Sequence, residues 1–128
     1  MRVAYLDTSC LVAVAFEEPR GPELAARLDQ YQELIASNLL EAEFRSTLHR
    51  EGVDGAQGFL ERVAWLLPDR PLGGEMERVL RVRYLRGADL WHVAAALYLA
   101  DTPENVDFLT LDDEQGEAAA ALGFGTLG

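Results

Sequence analysis

Apolar residues in this chain occur either in short uninterrupted blocks or in longer segments with helical spacing. The short blocks mix β-branched and aromatic residues and predict buried strands. In the longer segments apolar residues recur three or four positions apart, and Leu40, Phe44 and Leu48 are a clear case. The predicted strands cover about 2–6, 33–36, 106–111 and 124–127. The predicted helices cover about 9–16, 21–31, 38–50, 56–67, 74–85, 88–100 and 113–123.

The order of these elements predicts the fold class. Strands and helices alternate at both ends of the chain, which favours an α/β fold with a mostly parallel sheet and helices on both faces. The chain has 128 residues, of which 49% are hydrophobic, so we expect a single domain over residues 1–128. Open sheets of this kind place their functional sites outside the carboxyl ends of the strands.

Two aspartates stand where a predicted strand ends. Asp7 follows the apolar block VAYL, and Asp112 follows VDFLTL. Because parallel strands end at the same edge of a sheet, we expect both side chains at one rim. Each also has a purely structural interpretation, since an Asp after a strand often shapes a turn or caps the next helix.

Two further acids occupy notable positions on predicted helices. Glu43 lies beside the apolar face of its helix and is expected to be half buried, whereas Glu41 lies nearer the edge, beside Arg45. A surface pairing of Glu43 with Arg45 or Arg50 is the alternative. Asp89 opens the segment ADLWHVAAAL, where a carboxylate can serve as an N-cap or interact with the helix dipole.

The four acids are more informative together than singly. Two carboxylates about 5 Å apart repel by roughly 3 kcal/mol at an effective dielectric constant of about 20. A fold that gathers several of them on one rim therefore needs a cation to offset the repulsion. Ligation by oxygen alone suits Mg²⁺ or Mn²⁺, and such an ion activates water and shields phosphate charge during in-line displacement.

The overall charge argues against a polynucleotide substrate. The chain has 22 acidic residues against 11 arginines and no lysine, which gives a net charge of -11, whereas nucleic-acid binders usually have a basic surface. Contacts with any nucleic acid would then depend on a local set of arginines, for which ordinary surface solvation is the alternative role. The candidates are Arg45, Arg50, Arg81, Arg83 and Arg86.

Cysteine content and hydropathy predict the compartment. Cys10 is the only cysteine, so no internal disulfide can form, as is typical of a reducing compartment. We find no secretory signal pattern and no apolar run approaching the roughly 18 residues of a membrane span. We therefore expect a cytoplasmic protein that does not interact with membranes.

Four sequence blocks occur in a characteristic order and spacing. They are YLDTS, containing Asp7; ASNLLEAEFRSTL, with Ser37, Glu43, Phe44 and Arg45; LRGADLWHVAAAL, with Leu85, Arg86, Asp89 and His92; and FLTLDDEQGEAAAALG, with Thr110 and Asp112. Over essentially the whole chain they resemble the PIN domain family, and more closely its VapC group of toxin ribonucleases. The second block selects Glu43 over Glu41.

The resemblance implies a fold, a chemistry and partners. The implied fold is a three-layer α/β/α arrangement around a mostly parallel sheet of about four to five short strands. The implied activity is metal-dependent endonucleolytic cleavage of RNA with Mg²⁺ or Mn²⁺ as cofactor. The implied partners are an RNA substrate, a VapB-type antitoxin that blocks the acidic pocket, and further copies of the chain in a homodimer or higher even oligomer. The implied catalytic and metal-binding residues are Asp7, Glu43, Asp89 and Asp112.

Several polar neighbours are expected to support this acid cluster. Ser9 and Thr110 can hydrogen-bond its oxygens or bound water, a role that orients metal ligands. Asp113 stands where relatives commonly have a basic residue, so chemistry alone does not rank Asp112 against Asp113 as the fourth acid.

The third block contributes further candidates. His92 follows Asp89 by three residues on the same helix face, and we expect it to orient Asp89 or contact substrate rather than bind the ion. Arg86 can hold either a carboxylate or an RNA phosphate. Trp65 and Trp91 are interpreted as core or dimer-interface aromatics.

Two other protein classes compete with the nuclease. Aspartyl-phosphate phosphatases also place a nucleophilic Asp after the first strand, but they require a second Asp where this chain has Ser9, and a lysine, which the chain lacks. We reject that class. A PIN-like module that acts only through protein partners fits the negative charge, although the intact set of four acids disfavours it.

Overall fold

Four parallel strands form the centre of the computed structural model, which describes residues 2–127. They are β1 (Val3–Leu6), β2 (Glu33–Ser37), β3 (Val63–Leu66) and β4 (Val106–Leu109). The strands lie in the order β3, β2, β1, β4, and each neighbouring pair is parallel. The predicted parallel α/β sheet is therefore confirmed.

Helices cover both faces of this sheet. The helices are α1 (Thr8–Ala15), α2 (Gly21–Leu28), α3 (Asn38–Glu51), α4 (Gly73–Val82), α5 (Gly87–Leu99) and α6 (Asp113–Ala121), with short 3₁₀ helices at Gln57–Arg62 and Pro103–Asn105. One core contains Leu6, Leu40 and Phe44 beneath α1, α2 and α3, and the other contains Tyr5 and Phe108 beneath α4, α5 and α6. The three-layer α/β/α architecture is thus confirmed.

Strand β1 lies between the two cores. Ala4 and Leu6 face one core and Tyr5 faces the other, and all three are fully buried. A strand buried on both faces needs an uninterrupted apolar block, which explains the VAYL pattern. The first polar side chain after this block is Asp7, at the carboxyl end of the strand.

The connections create a crevice at this end of the sheet. From β1 the chain moves outward to β2 and then β3, and it returns to place β4 on the opposite side of β1. The direction of winding therefore changes between β1 and β4, and ligands of open α/β sheets bind at such a point. Leu6 and Leu109 are register partners, so both strands end at the same level.

Two predicted elements are wrong. The segment 56–67 has a helical apolar pattern, but it forms the 3₁₀ helix Gln57–Arg62 followed by β3, because Val63 to Leu66 pair with the buried strand β2. Tertiary pairing overrides an ambiguous local period here. Trp65 is consequently on an edge strand and 36% exposed, rather than in the core. The segment 124–127 forms only one bridge, between Gly125 and Asp107, instead of a strand.

Candidate metal centre

Asp7 is both a helix cap and a member of the rim. Its Oδ2 accepts a hydrogen bond from the main-chain N–H of Ser9 at 3.0 Å, which caps α1. Its own N–H donates to the carbonyl of Leu109 at 2.9 Å, so β4 fixes its position. The side chain is buried, and capping uses only one of its oxygens.

Asp112 occupies the same kind of position after β4. It is the N-cap of α6, and its Oδ1 accepts from the main-chain N–H of Gln115 at 2.8 Å. Asp113 is instead the first residue of α6, and both acids are exposed. The geometry therefore separates two acids that residue chemistry left unranked, and Asp112 is the one that caps the helix at the rim.

Glu43 faces this rim from α3 and is half buried, as expected. Its Oε1 accepts from Thr8 Oγ1 at 2.6 Å and contacts His92 Nε2 at 2.8 Å. The hydrogen bond to His92 is the main cause that lowers the pKa of Glu43, with Thr8 adding to it and burial opposing it. The alternative pairing with Arg45 or Arg50 is wrong.

Asp89 completes the set from α5. It lies in the first turn, but Arg86 occupies the N-cap position, so the alternative of Asp89 as N-cap is wrong. Burial raises the pKa of Asp89, and the negative charges of Asp112, Asp7 and Glu43 raise it further. The charges of the other three acids thus act on Asp89, as expected of an acid near the same rim.

The donor set fits a hard divalent cation. Asp7, Glu43 and Asp112 each have one oxygen fixed by hydrogen bonds, while the other accepts none from any residue in 2–127. Single oxygens from several carboxylates, completed by water, are what Mg²⁺ prefers. The donor chemistry fits such an ion, but within residues 2–127 no group of three or more His, Cys, Asp or Glu side chains is arranged so that it could hold a metal ion as the side chains stand.

Ser9 and Thr110 connect the ends of β1 and β4. Ser9 Oγ accepts from the N–H of Leu111 at 3.1 Å, and Thr110 Oγ1 accepts from the N–H of Asp112 at 3.0 Å. The Thr110 hydroxyl lies 2.6 Å from Gln115 Oε1 but 3.4 Å from Asp7 Oδ2, so its single proton goes to Gln115. Ser9 reaches Asp7 only through its main-chain N–H, which donates to Asp7 Oδ2, among the described residues.

Gln115 is a structural contributor that the sequence reasoning missed. Its side chain is completely buried, and its Nε2 donates to the main-chain carbonyl of Asp89 at 3.2 Å. It joins the first turn of α5 to the N-terminus of α6. The available signal was its position three residues after Asp112, the spacing of a capping box.

His92 contacts a different acid from the one expected. The ring is 1% exposed, with Nε2 on Glu43 Oε1 and Nδ1 3.1 Å from Tyr5 Oη. Its hydrogen bond is therefore with Glu43 rather than with Asp89. Trp91, on the same helix, is half buried and donates from Nε1 to Ser37 Oγ at 3.2 Å.

The predicted RNA-binding arginines are mostly engaged in surface ion pairs. Arg45 pairs with Glu41 at 2.8 Å, and Arg50 pairs with Glu51 at 3.0 Å. Arg83 reaches Glu117 on α6 at 3.0 Å. Arg86 and Arg81 are exposed and make no ion pair with any residue in the described range.

A cavity of about 320 Å³ adjoins the acid cluster. It shares Asp112 and Thr110 with the rim and is also lined by Asp113, Leu127 and Arg20. Arg20 supplies the positive charge among the described lining residues, and its own ion-pair partner, Glu23, is 3.7 Å away and exposed. The sequence reasoning missed Arg20 because it lies farther along the chain from the four blocks than the arginines that were candidates.

The chain belongs to the PIN domain family, whose model matches residues 4–121. PIN domains are generally nucleases. A crystal structure of FitAcB from Neisseria gonorrhoeae superposes with a TM-score of 0.63 at 16% sequence identity, covering 98% of this chain and 96% of that one. At that identity the likeness supports the fold alone. A comparison with curated protein sequences finds no match.

Every helix within residues 2–127 is too short or too polar to span a bilayer.

Proposed function

We propose that this PIN domain is a divalent-metal-dependent endoribonuclease and acts as the toxin of a VapBC-type toxin–antitoxin pair in the cytoplasm. The observation that carries the proposal is geometric. Asp7 and Asp112 follow the paired strands β1 and β4, and Glu43, held through Oε1 by Thr8 and His92, has a second oxygen that accepts no hydrogen bond from residues 2–127. The raised pKa of Asp89, caused by burial and then by the charges of the other three acids, agrees with this arrangement. Carboxylates gathered in this way favour a cation over an empty rim.

The four carboxylates would hold Mg²⁺ or Mn²⁺ as ligands. Such an ion, when bound, supplies an activated water and offsets charge on the scissile phosphate. The chain contributes the orientation of the ligands: Ser9 fixes one oxygen of Asp7, and Thr8 fixes one of Glu43. Fixed ligands reduce the reorganisation required when substrate binds.

The RNA is expected to enter as a single strand. A flexible backbone can bend into a cleft between carboxylates, which a stacked duplex cannot do readily. Arg20 lies in the cavity beside Asp112, and Arg86 lies at the N-terminus of the helix that carries Asp89. With few cations available on a chain of net charge -11, the salt dependence of binding should be small.

Cleavage assays with matched variants test the proposal. Purified protein is incubated with single-stranded RNA and Mg²⁺ or Mn²⁺, with EDTA as a control, beside Asp7→Asn and Asp89→Asn. Asp101→Asn removes an exposed acid before β4, at the other end of that strand, and serves as the matched control. We expect cleavage by the wild type and Asp101→Asn only, and only with metal. Intact RNA with a wild type that demonstrably binds Mn²⁺ would refute the nuclease.

A second candidate function is a binding module that acts only through protein partners, and the net charge of -11 favours it. Calorimetric titration with Mn²⁺ discriminates the two. A nuclease site binds the ion and loses it in Asp7→Asn, whereas a pure interaction surface shows no difference between the variants.

The partner proposals have their own measurements. A homodimer or higher even oligomer predicts a mass of at least twice 14.1 kDa by light scattering. A VapB-type antitoxin that covers the acid cluster should abolish both RNA cleavage and Mn²⁺ uptake when the two proteins are purified together.

A further inference from the structure

The buried ring of His92 connects the interior of the sheet to the rim. Tyr5 Oη lies 3.1 Å from its Nδ1, and Glu43 Oε1 lies 2.8 Å from its Nε2. Tyr5 belongs to β1 and is fully buried. Glu43 belongs to α3, which packs on the other face of the sheet from α5, the helix that carries His92. The imidazole is therefore the link between a fixed hydroxyl and a carboxylate of the proposed metal centre.

The hydrogen bonds around Tyr5 determine which nitrogen of His92 carries the proton. Tyr5 Oη already accepts from the main-chain N–H of Ser37 at 3.3 Å. The phenol has one proton, and Nδ1 of His92 is the acceptor beside it. If Nδ1 accepts, the proton of a neutral imidazole is on Nε2.

The Glu43 carboxylate, which contacts the other nitrogen of the His92 ring, also requires the proton on Nε2. An ionised Glu43 oxygen can only accept, so the short contact at 2.8 Å needs a proton on Nε2. The other neutral tautomer would direct the lone pair of Nε2 at a negatively charged oxygen. Both ends of the ring thus select a single tautomer.

Glu43 Oε1 has a second hydrogen-bond donor besides His92. Thr8 Oγ1 donates to the same oxygen, Oε1, at 2.6 Å. Two donors from two different elements, α1 and α5, fix Oε1, while Oε2 receives no hydrogen bond from any residue in 2–127.

We propose that His92 is a positioning residue: fixed by Tyr5 in the Nε2–H tautomer, it holds Glu43 Oε1 and so presents Oε2 to the metal. This inference deepens the proposed function and rests on it, because it takes Glu43 as a metal ligand. Groups that orient metal ligands typically contribute a factor of about 10–100 in metal affinity or activity.

Nitrogen NMR of the metal-free protein tests the tautomer without any assay of activity. The chain has two histidines, and the exposed His49 on α3 is an internal reference. In the metal-free protein we expect His92 to show a protonated Nε2 and an unprotonated Nδ1. Tyr5→Phe should shift the His92 nitrogens and leave those of His49 unchanged. A proton on Nδ1 in the wild type would overturn the proposal.

Two substitutions of His92 separate positioning from general packing. A glutamine amide nitrogen can lie near the position of Nε2, whereas that of asparagine lies near Nδ1. His92→Gln should therefore retain Mn²⁺ affinity within a few-fold, and His92→Asn should lose about 10–100-fold. Equal affinities in the two variants would refute the positioning role, since a packing defect does not depend on where the amide lies.

The design also distinguishes this inference from the proposed function. A wild type that binds Mn²⁺ but cleaves no RNA contradicts the nuclease, while the tautomer and the affinity difference still decide the role of His92. If His92→Asn does not fold, the comparison of wild type with Tyr5→Phe decides it alone.

Discussion

The side-chain amide of Gln115 donates to the main-chain carbonyl of Asp89 at 3.2 Å. The same residue presents its main-chain N–H to Asp112 and receives the hydroxyl proton of Thr110 at 2.6 Å. Gln115 thereby connects the helix that carries Asp89 to the cap formed by Asp112. A buried amide of the fourth block thus links two acids from different motifs.

Replacing Gln115 should therefore loosen the acid cluster. Gln115→Leu keeps the volume but removes the acceptor of the Thr110 hydroxyl proton and the side-chain donor to the Asp89 carbonyl, which costs about 1–3 kcal/mol in the free energy of unfolding. Mn²⁺ affinity should fall by about 10-fold or more. Gln30→Leu, at an exposed position after α2, is the control for urea unfolding and calorimetry. Retained metal affinity in Gln115→Leu would show that the link has no influence on the site.

The positions of the acids were largely predictable from the sequence. Asp7 and Asp112 end apolar blocks, and parallel strands that end in register bring such residues to one rim. Glu43 was recognisable from its place beside the apolar face of α3. These positions could be predicted because each depends on a local pattern combined with one general rule of sheet geometry, while the role of the acids as ligands stays a prediction.

The remaining features depend on contacts between distant segments. Nothing near Tyr5 in the sequence indicates that its hydroxyl meets His92, and the two are 87 positions apart. Strand β3 was misread as helix because its pairing with β2, rather than its own period, determines its conformation. Arg20 lies far from the motifs in the sequence and lines one cavity with Asp112 and residues of α6 in the fold.

The raised pKa of Asp89 predicts a change in stability whose sign depends on metal. Burial and three neighbouring charges favour the protonated form of Asp89 in the folded protein, so its pKa is higher in the folded than in the unfolded chain. Below the unfolded-state pKa the group is protonated in both states and costs nothing. As the pH rises from the unfolded-state pKa through the folded-state pKa, the free energy of unfolding falls. At neutral pH without metal, Asp89→Asn should therefore be more stable than the wild type. The gain should be on the order of 1 kcal/mol or less, because the group is partly exposed and solvent screens it.

Mn²⁺ should reverse this order. A ligand at about 100 times its Kd stabilises the protein that binds it by roughly 2.7 kcal/mol, and the variant has lost one ligand. Thermal unfolding with and without Mn²⁺ at neutral pH and near pH 4 measures both effects. An Asp89→Asn variant less stable than the wild type in EDTA would argue against repulsion among the four acids.

Thr8 and Thr47 form a matched pair around Glu43. Thr8 donates to the carboxylate at 2.6 Å, whereas Thr47 donates to the main-chain carbonyl at 2.9 Å. Thr8→Val should raise the pKa of Glu43 in the metal-free protein, because one donor that lowers it is removed. The stability that ionised Glu43 contributes above its ordinary pKa should fall by about 1 kcal/mol once solvent screening is considered. Thr47→Val should leave that pKa unchanged. Carboxyl carbon NMR gives both values, and equal shifts in the two variants would contradict a specific role for the Thr8 hydroxyl.

Arg20 should contribute more to RNA binding than the arginines in the sequence motifs. It lines the cavity that contains Asp112, and its ion pair with Glu23 is long and exposed, so little is lost when a phosphate replaces Glu23. Arg50, paired with Glu51 at the end of α3, is the matched control because it is also exposed and carries the same charge.

The expected signature is a change in salt dependence as well as in affinity. In an Asp7→Asn background, which prevents cleavage, Arg20→Ala should weaken binding of single-stranded RNA and reduce the slope of log K against log salt by about 1. Arg50→Ala should change neither quantity. Fluorescence anisotropy at several salt concentrations measures both. If the two variants lose affinity equally, RNA does not follow the cavity beside Asp112 and the chain must guide it to the acids by another surface.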